Sequence, residues 1–330
     1  MSGSVPSVAA ARACLVLAAV LWSLGSLFMR LVQRPVLLGW SEPGLAPLPI
    51  AFFRALFAGL VMLPLVRRAD VRFRPRMAAM VVTFALMSGV YLSAMGLGKA
   101  GNAIFLQNTA PFWVYLFAVF LLGERGDRRG WVAVLLGLAG AVVIVAGNWP
   151  RNLQPDEQRT AVGVLALGVA SGIVYAGVVL FLRALREFSP AWLVFLNHAG
   201  SAAALGVFLA LAPTDVTGWI AVPTTRQLVL LAVFGAVQMA FPYWLFARGL
   251  KTVGPQEAGI ITLLEPLLNP VWAYLITPAT DTPNRPMFLG GGLILAALLW
   301  RYAPRREEPK QDSPQRHREH REEKQGEGPK

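Results

Sequence analysis

The segment Ala258–Ile276, AGIITLLEPLLNPVWAYLI, is long and apolar enough to cross a bilayer, yet it contains charged and polar side chains. A carboxylate near the middle of such a helix costs about 2.5–3.5 kcal/mol on insertion scales, so it normally faces a cavity or a partner. Glu265, Asn269 and Trp272 are four and three residues apart, which places them on one helix face. This face is predicted to point away from lipid.

Two prolines are expected to weaken the same helix. Because Pro266 and Pro270 have no amide hydrogen, the carbonyls of Thr262 and Pro266 lose their usual helical partners. Carbonyls freed at membrane depth are tolerated where water, protein or a ligand meets them. The segment is therefore predicted to form one wall of a polar cavity in a protein with several spans.

The whole chain has the composition of a membrane protein. Its mean hydropathy is +0.53, and 15% of its residues are charged, whereas a soluble domain has about a quarter charged. Ten apolar runs are predicted as transmembrane helices: 11–32, 47–66, 77–97, 103–122, 131–146, 161–185, 191–212, 227–250, 258–276 and 287–302. These features predict an all-α, multi-pass integral protein of the inner (plasma) membrane and argue against a large soluble enzyme.

The formal net charge of +12 does not indicate a nucleic-acid partner. Arginine and lysine lie mostly in short loops on one predicted side of the membrane, as the positive-inside rule produces. With ten spans, this asymmetry places both the N and the C terminus in the cytoplasm. The only cysteine is Cys14, so no disulfide within the chain and no thiolate metal site are expected. Neither a metal nor a cofactor is predicted.

Three titratable residues inside apolar runs are assigned structural roles. Arg30 lies near the end of the first run, and Arg54 lies near the start of the second. Both are predicted to extend their charged groups to the membrane interface. A role for Arg54 in a cavity is the alternative. His198 lies on a helix that is expected to be peripheral, so packing is the favoured role.

The two halves of the chain repeat each other. Tyr91 opens YLSAMGLGK, and Tyr243, 152 residues later, opens YWLFARGLK. Ala110-Pro111 and Glu265-Pro266 follow at a separation of 155 residues. Five spans in each half mean that the two copies cross the membrane in opposite orientations, an arrangement that recurs in transporters. The predicted units are two inverted five-helix repeats at 1–150 and 151–304, followed by a disordered charged cytoplasmic tail at 305–330.

The doubled pattern resembles the EamA-type family of the drug/metabolite transporter superfamily. The resemblance rests on QNTAPFWVYLFAVFLLGE at 107–124, on ITLLEPLLNPVWAYLI at 261–276, and on the glycine-bearing helix after each, and it covers about residues 10–303. It implies alternating access by two five-helix repeats around a central cavity. One departure is that Gly123-Glu124 has no counterpart after the ninth span, where ITPATDTPNRP stands. The resemblance therefore does not imply a symmetric gating role for Glu124.

Nine residues are predicted to bind substrate. Glu265 and Asn269 form the predicted polar centre, although a structural hydrogen bond to a neighbouring helix would also explain them. Gln107 and Asn108 stand in the first turns of the predicted fourth span, just before Pro111. Aromatic residues are predicted to line the cavity, although each alone would also suit a core or an interface belt: Trp22, Tyr91, Tyr175, Tyr243 and Trp272.

These predictions favour a permease that moves small organic metabolites, such as amino acids or amphipathic compounds. The alternative is a flippase for lipids or lipid-linked sugars on the same fold, for which Arg54 would serve as the basic group. No HExxH motif or nucleophile elbow supports an intramembrane enzyme. The expected partners are a small-molecule substrate and the lipid bilayer, with the protein a monomer or a homodimer. Proton coupling through Glu265 is a hypothesis, and uniport remains open.

Overall fold

The computed structural model describes residues 6–151, 153–211 and 223–303, and every regular element in these ranges is a helix. The α-helices in chain order are α1 (Val8–Ser23), α2 (Gly25–Gln33), α3 (Pro47–Met62), α4 (Pro75–Leu97), α5 (Ala100–Gln107), α6 (Ala110–Phe120), α7 (Arg128–Gly147), α8 (Pro155–Ala184), α9 (Pro190–Leu211), α10 (Thr225–Val233), α11 (Phe241–Gly249), α12 (Pro255–Thr262), α13 (Leu264–Ile276), α14 (Pro278–Asp281) and α15 (Arg285–Tyr302). A π-helix, Phe234–Ala240, connects α10 to α11.

Nine helical segments of the described chain are long and apolar enough to cross a membrane. They correspond to the first nine predicted spans, with α1–α2, α5–α6, α10–α11 and α12–α13 each forming one span. The tenth predicted span is present as α15, an 18-residue helix, but it is not among the nine. Arg285 and Arg301 lie at its two ends and Gly290 to Gly292 near its start, which lowers its apolar character. A count of ten spans therefore stays a prediction.

The helix bounds agree with the predicted spans to within a few residues, except at the sixth. Its predicted start, residue 161, was wrong, because α8 begins at Pro155. Proline suits the first turn of a helix, and Asp156 and Glu157 favour the positive end of the helix dipole. The predicted charged tail, 305–330, lies outside the described residues.

Four of the spans are interrupted near their middle. The first breaks at Leu24, the fourth at Asn108 and Thr109, and the ninth at Leu263, while the π-helix interrupts the eighth. A proline stands in the first turn after three of these interruptions, where its missing N–H removes no helical hydrogen bond: Pro111, Pro242 and Pro266. The predicted loss of helical hydrogen bonds in the ninth span takes the form of a break before Pro266, whereas Pro270 lies inside α13 without a break.

The helices of the two halves pack against each other in reciprocal pairs. In the first half, α1 packs against α11 and α13, and in the second half α8 packs against α4 and α6. The outer pairs are α3 with α9 and α7 with α15. Reciprocal packing of this kind is expected when two related halves meet face to face. The four interrupted spans lie together at the centre of this arrangement.

Glycines allow the closest of these helix contacts. A Cβ at Gly140 of α7 would meet the carbonyl oxygen of Gly290 on α15, and a Cβ at Gly290 would meet that of Gly140. Small residues let helix backbones approach in this way inside a membrane. A Cβ at Gly137 would meet the ring of Phe112. Gly140 and Gly290 therefore allow α7 and α15 to pack backbone against backbone, and Gly137 makes room for Phe112 of α6.

Candidate functional site

A cavity of about 800 Å³ occupies the centre of the helices. It runs from the interrupted middles of the spans to the end of the molecule where Glu124 and Arg183 are exposed. Each interruption contributes lining residues: Trp22, Asn108, Gln238, Thr262 and Glu265. Irregular backbone at membrane depth is tolerated where it lines such a cavity, so the breaks and the cavity have one physical origin.

Seven of the nine predicted binding residues line this cavity: Trp22, Tyr91, Gln107, Asn108, Tyr175, Tyr243 and Glu265. Asn269 and Trp272 are not in its lining. Asn269 is fully buried, and its backbone oxygen accepts a hydrogen bond of 2.6 Å from Ser26 Oγ. Trp272 Nε1 donates to Ser23 Oγ over 2.9 Å. Both residues therefore attach α13 to the first span.

Arg54 is buried at the cavity wall, so its predicted place at the membrane interface was wrong and the alternative is the observed one. Its side chain lies seven residues into α3, about 10 Å along the helix axis, and the residue is 4% exposed. Its Nη2 donates to Ser88 Oγ over 2.9 Å, and its Nη1 donates to Gln238 Oε1 over 3.3 Å. The guanidinium carbon lies 5.5 Å from the centre of the Phe234 ring.

Glu265 lies in the same cavity, in the first turn of α13. The positive end of a helix dipole favours a carboxylate at that position. Among the described residues, no hydrogen bond or ion pair holds this carboxyl, and it does not approach Arg54 within ion-pair distance. Tyr91 and Tyr243 line the same cavity as Arg54 and Glu265.

Gln238 and Tyr243 both line the cavity, although they are five residues apart. In a regular α-helix this spacing puts two side chains on different faces, so the sequence required a local distortion for both to point inward. The π-helix is that distortion, since it bonds residue i to i+5 and widens the turn. The Trp22 ring packs on Tyr243 with centroids 5.3 Å apart.

His198 lines the cavity as well as packing in the core. It is 1% exposed, and its ring stands edge-on to Phe84 and Tyr243 at centroid distances of 5.2 and 5.8 Å. The packing role is present, but α9 is not peripheral at this point. Its neighbour Asn197 also reaches the lining.

A buried ion pair between Arg30 and Asp281 lies beyond the inner end of the cavity, and neither residue is part of the cavity lining. Arg30 Nε and Nη2 each donate to one oxygen of this carboxylate over 2.8 Å, and the two side chains are 4% and 0% exposed. Arg30 Nη2 also donates to the carbonyl of Gly98 over 2.7 Å. The backbone N–H of Ala100 and Thr277 Oγ1 donate to the same carboxylate. The predicted interfacial position of Arg30 was wrong, because this network holds it inside.

The chain order shows that this network lies opposite the cavity mouth. Ala100 begins the span that ends just before Glu124, so the two residues mark the two ends of that span. Burial raises the pKa of Asp281, but the hydrogen bond and charge of Arg30 outweigh burial and hold that pKa below its usual range. The carboxylate is therefore ionised at neutral pH, and the ion pair joins α2, α14 and the α4–α5 connection.

A second ion pair lies at the mouth. Arg183 Nη2 contacts Glu124 Oε1 over 2.7 Å, with side chains 54% and 43% exposed. Arg30 and Arg183 are 153 residues apart, and Glu124 and Asp281, each following its fourth span, are 157 apart. The Gly123-Glu124 pair itself has no counterpart after the ninth span, but Asp281 supplies an acidic residue there. The acidic residue lies on the short helix α14, which turns it back toward Arg30.

The sequence pattern of the EamA-like transporter family matches residues 11–146 and 162–302. The chain belongs to this family. Together with the nine apolar helices, this membership makes it a multi-pass membrane protein, consistent with the predicted inner membrane. The cavity and the two ion pairs are thus features of a transporter of the drug/metabolite type.

Three relatives agree with this assignment. A protein of Archaeoglobus fulgidus named as an uncharacterized transporter is 32% identical over 88% of this chain and 96% of its own. The pseudopaline exporter CntI of Pseudomonas aeruginosa is 22% identical over 76% of this chain and 84% of its own. The S-adenosylmethionine uptake transporter of Rickettsia prowazekii is 22% identical over 76% and 81%. These names indicate a transporter rather than an enzyme.

Proposed function

We propose that this EamA-family protein carries small organic metabolites, such as amino acids or other amphipathic compounds, across the inner membrane by alternating access. One observation carries the proposal: the central cavity opens at the mouth beside Glu124, and its lining does not reach the opposite end, where Arg30 and Asp281 form a buried ion pair. A channel in its conducting state would be open at both ends at the same time. A cavity with one mouth instead supports a carrier that exposes its site to one side at a time.

The helix interruptions supply the moving parts in this proposal. Residues at the ends of helical segments absorb the backbone changes of a hinge, and such ends surround the cavity at Leu24, Asn108 and Leu263. The two inverted repeats, 1–150 and 151–304, would exchange their packing so that the mouth closes while the far end opens. The reciprocal helix pairs support this exchange.

The relatives' names support small metabolites as the substrate class. Pseudopaline and S-adenosylmethionine are the compounds named for two of them, one for export and one for uptake. The polar and aromatic lining of the cavity fits metabolites of that kind, since binding sites are mostly apolar with a few convergent polar groups. The proposal covers transport in either direction.

Glu265 is the proposed coupling group. Its carboxyl faces the cavity and has no partner among the described residues, so it is free to take up a proton or a cationic group. Proton exchange at this carboxyl would link substrate movement to the pH gradient. The flippase alternative gains support from Arg54, a cation in the cavity, but a lipid phosphate there would share the cavity with the Glu265 carboxylate.

Uptake by proteoliposomes tests the proposal. A panel of labelled amino acids, nucleosides and organic cations is compared with and without a pH gradient, for the native protein, Glu265→Gln and the control Glu187→Gln, whose side chain lies on the surface. Saturable uptake of a solute by the native and control proteins supports a carrier. Loss of its gradient dependence in Glu265→Gln supports coupling. Absence of uptake, together with movement of a labelled phospholipid between leaflets, would replace the proposal by the flippase.

A further inference from the structure

Arg54 differs from the other deeply buried arginine in having no acidic partner. Arg30 has a bidentate carboxylate, whereas Arg54 is bonded to the hydroxyl of Ser88 and the amide oxygen of Gln238, both neutral. Its Nε is buried without any acceptor among the described residues. Burying a charge without a counter-charge is expensive. The Arg54 guanidinium therefore has no counter-charge, and an anionic group of a ligand would supply one.

Glu265, in the same cavity, has a negative charge without a cationic partner. Its carboxyl has no donor or cation within the described parts of the chain, and it is not within ion-pair distance of Arg54. Arg54 and Glu265 line the same cavity, and Tyr91 and Tyr243 belong to its wall. A ligand that carries both a negative and a positive group would satisfy both at once.

We infer that Arg54 and Glu265 select a zwitterionic substrate, with its carboxylate at Arg54 and its ammonium at Glu265. This inference rests on the proposed transport function and names its substrate class: α-amino acids and their derivatives. The guanidinium suits a carboxylate because its planar donors match the two oxygens.

The aromatic wall favours an apolar substituent on that substrate. The Trp22 ring packs against Tyr243 and Phe246, at centroid distances of 5.3 and 5.2 Å, and all three rings line the cavity. The cavity volume of about 800 Å³ leaves room beyond an amino acid toward the mouth. Extended derivatives with the same zwitterionic head therefore fit as well.

A matched series of small molecules tests the inference. Labelled L-phenylalanine, L-leucine and L-methionine are offered to proteoliposomes, and uptake is competed with L-phenylalaninamide, which lacks the carboxylate, and with 3-phenylpropionate, which lacks the ammonium. Because a hydrogen-bonded charge contributes about 1.5–3 kcal/mol, each analogue should compete at least about tenfold more weakly than phenylalanine.

Two variants separate recognition from simple damage to the fold. In Arg54→Gln, phenylalaninamide should compete about as well as phenylalanine, and in Glu265→Gln, 3-phenylpropionate should do so. A purely structural role would weaken all ligands alike. Arg54→Lys is the second variant if Arg54→Gln fails to fold, and Arg186→Gln, at an exposed arginine, is the control.

Uptake of another solute class without uptake of the three amino acids overturns this inference and leaves the transport proposal standing. Absence of any uptake defeats the transport proposal itself.

The two ion pairs carry a second, independent inference. Arg30 and Arg183 occupy matching positions near the ends of the first spans of the two halves, and Asp281 and Glu124 follow the two fourth spans. One pair is buried and bidentate at the closed end, and the other is half-exposed at the open end. We propose that they are the two latches of the transport cycle. In the opposite state Arg183 and Glu124 would be buried, and Arg30 and Asp281 would separate.

Labelling of a cysteine in the cavity tests the latches. In a Cys14→Ser background, Val179→Cys places a thiol in the cavity lining, and a membrane-impermeant maleimide is applied from each side separately. Asp281→Asn should increase labelling from the side that Asp281 closes. Glu124→Gln should decrease it, because the opposite state then loses its latch.

Matched variants complete this test. Asp156→Asn removes an acidic group from an ion pair that is 82% and 95% exposed, and it should leave both labelling rates unchanged. Asp281→Glu keeps the charge and should restore much of the native ratio. Equal or parallel changes in Asp281→Asn and Glu124→Gln would overturn the latch proposal, because opposed latches require opposite shifts.

Discussion

Arg30 and Arg54 are the same type of residue in similar helices, but their neighbours give the two side chains different roles. Both arginines lie in apolar helices and both are buried, but only Arg30 is supplied with a carboxylate. A buried pair of this kind is costly to break, because removing one partner leaves the other charge unpaired. The charge of Arg54 is instead directed into a cavity. In the proposed transport cycle, Arg30 would keep one end closed and Arg54 would bind the substrate.

Asp281→Asn is predicted to destabilise the protein. The substitution leaves the buried Arg30 guanidinium without its counter-charge, for which about 3–5 kcal/mol is typical. Thermal unfolding in detergent measures the effect, with Asp156→Asn as the exposed control. An unchanged midpoint for Asp281→Asn would mean that the closed end is not held by this pair.

The same carboxylate predicts a pH dependence of stability. Arg30 holds the pKa of Asp281 below its usual range, and the neighbouring Lys99 bonds the carbonyl of Thr282 beside it. Because the pKa is lower in the folded state, the stabilisation is complete above the unfolded value of about 3.9 and is lost as the pH falls through the folded value. Unfolding curves of the native protein and Asp281→Asn should therefore converge below about pH 4. A constant difference between them down to pH 2 would contradict the assignment.

At the scale of the helices, glycine contacts separate positions that tolerate a methyl group from those that do not. Gly290 faces the backbone of α7, whereas a Cβ at Gly292, two residues along the same helix, would meet nothing within 4 Å. Gly290→Ala is predicted to lower stability by about 1–3 kcal/mol, since the backbones must move apart. Gly292→Ala should be neutral or stabilising by up to about 1 kcal/mol, because alanine favours a helix. Parallel unfolding measurements decide, and equal effects would refute the close α7–α15 contact.

Much of the helical arrangement could be predicted from sequence, and the exceptions have physical causes. Glu265 and Pro266 predicted a cavity wall, because a carboxylate and a carbonyl without its helical partner are both unfavourable when they face lipid. In a regular helix the spacing of Gln238 and Tyr243 would put only one of them in the cavity, and the π-helix, which the sequence did not predict, brings both there. Arg54 was misplaced because its depth depends on which helices cover it. No pattern within α3 contains that information.

The sequence pattern also could not predict which residues the loop side chains contact in the folded protein. Asp281 stands in a segment that does not match the residues after the fourth span, so no counterpart of Glu124 was expected. Only the turn made by α14 returns its carboxylate to Arg30. A search for acidic residues near a separation of 153 residues, allowing a shift of a few positions, would have found it. Asn269 and Trp272 illustrate the converse, since their shared face contacts the first span rather than the cavity.

At the scale of the whole molecule, the two ion pairs should differ in energy although their residues match. In the conformation described, Glu124 and Arg183 are half-exposed, and exposed pairs contribute about 0–1 kcal/mol. Glu124→Gln is therefore predicted to change the unfolding midpoint little, while Asp281→Asn lowers it clearly. This difference depends on the resting state. A protein divided equally between two states in which the halves exchange conformations would lose similar stability from either change. The unfolding midpoints of Glu124→Gln and Asp281→Asn, measured in detergent and in lipid, thus report which end the empty transporter keeps closed. Equal decreases of the two midpoints would mean that neither end is preferred.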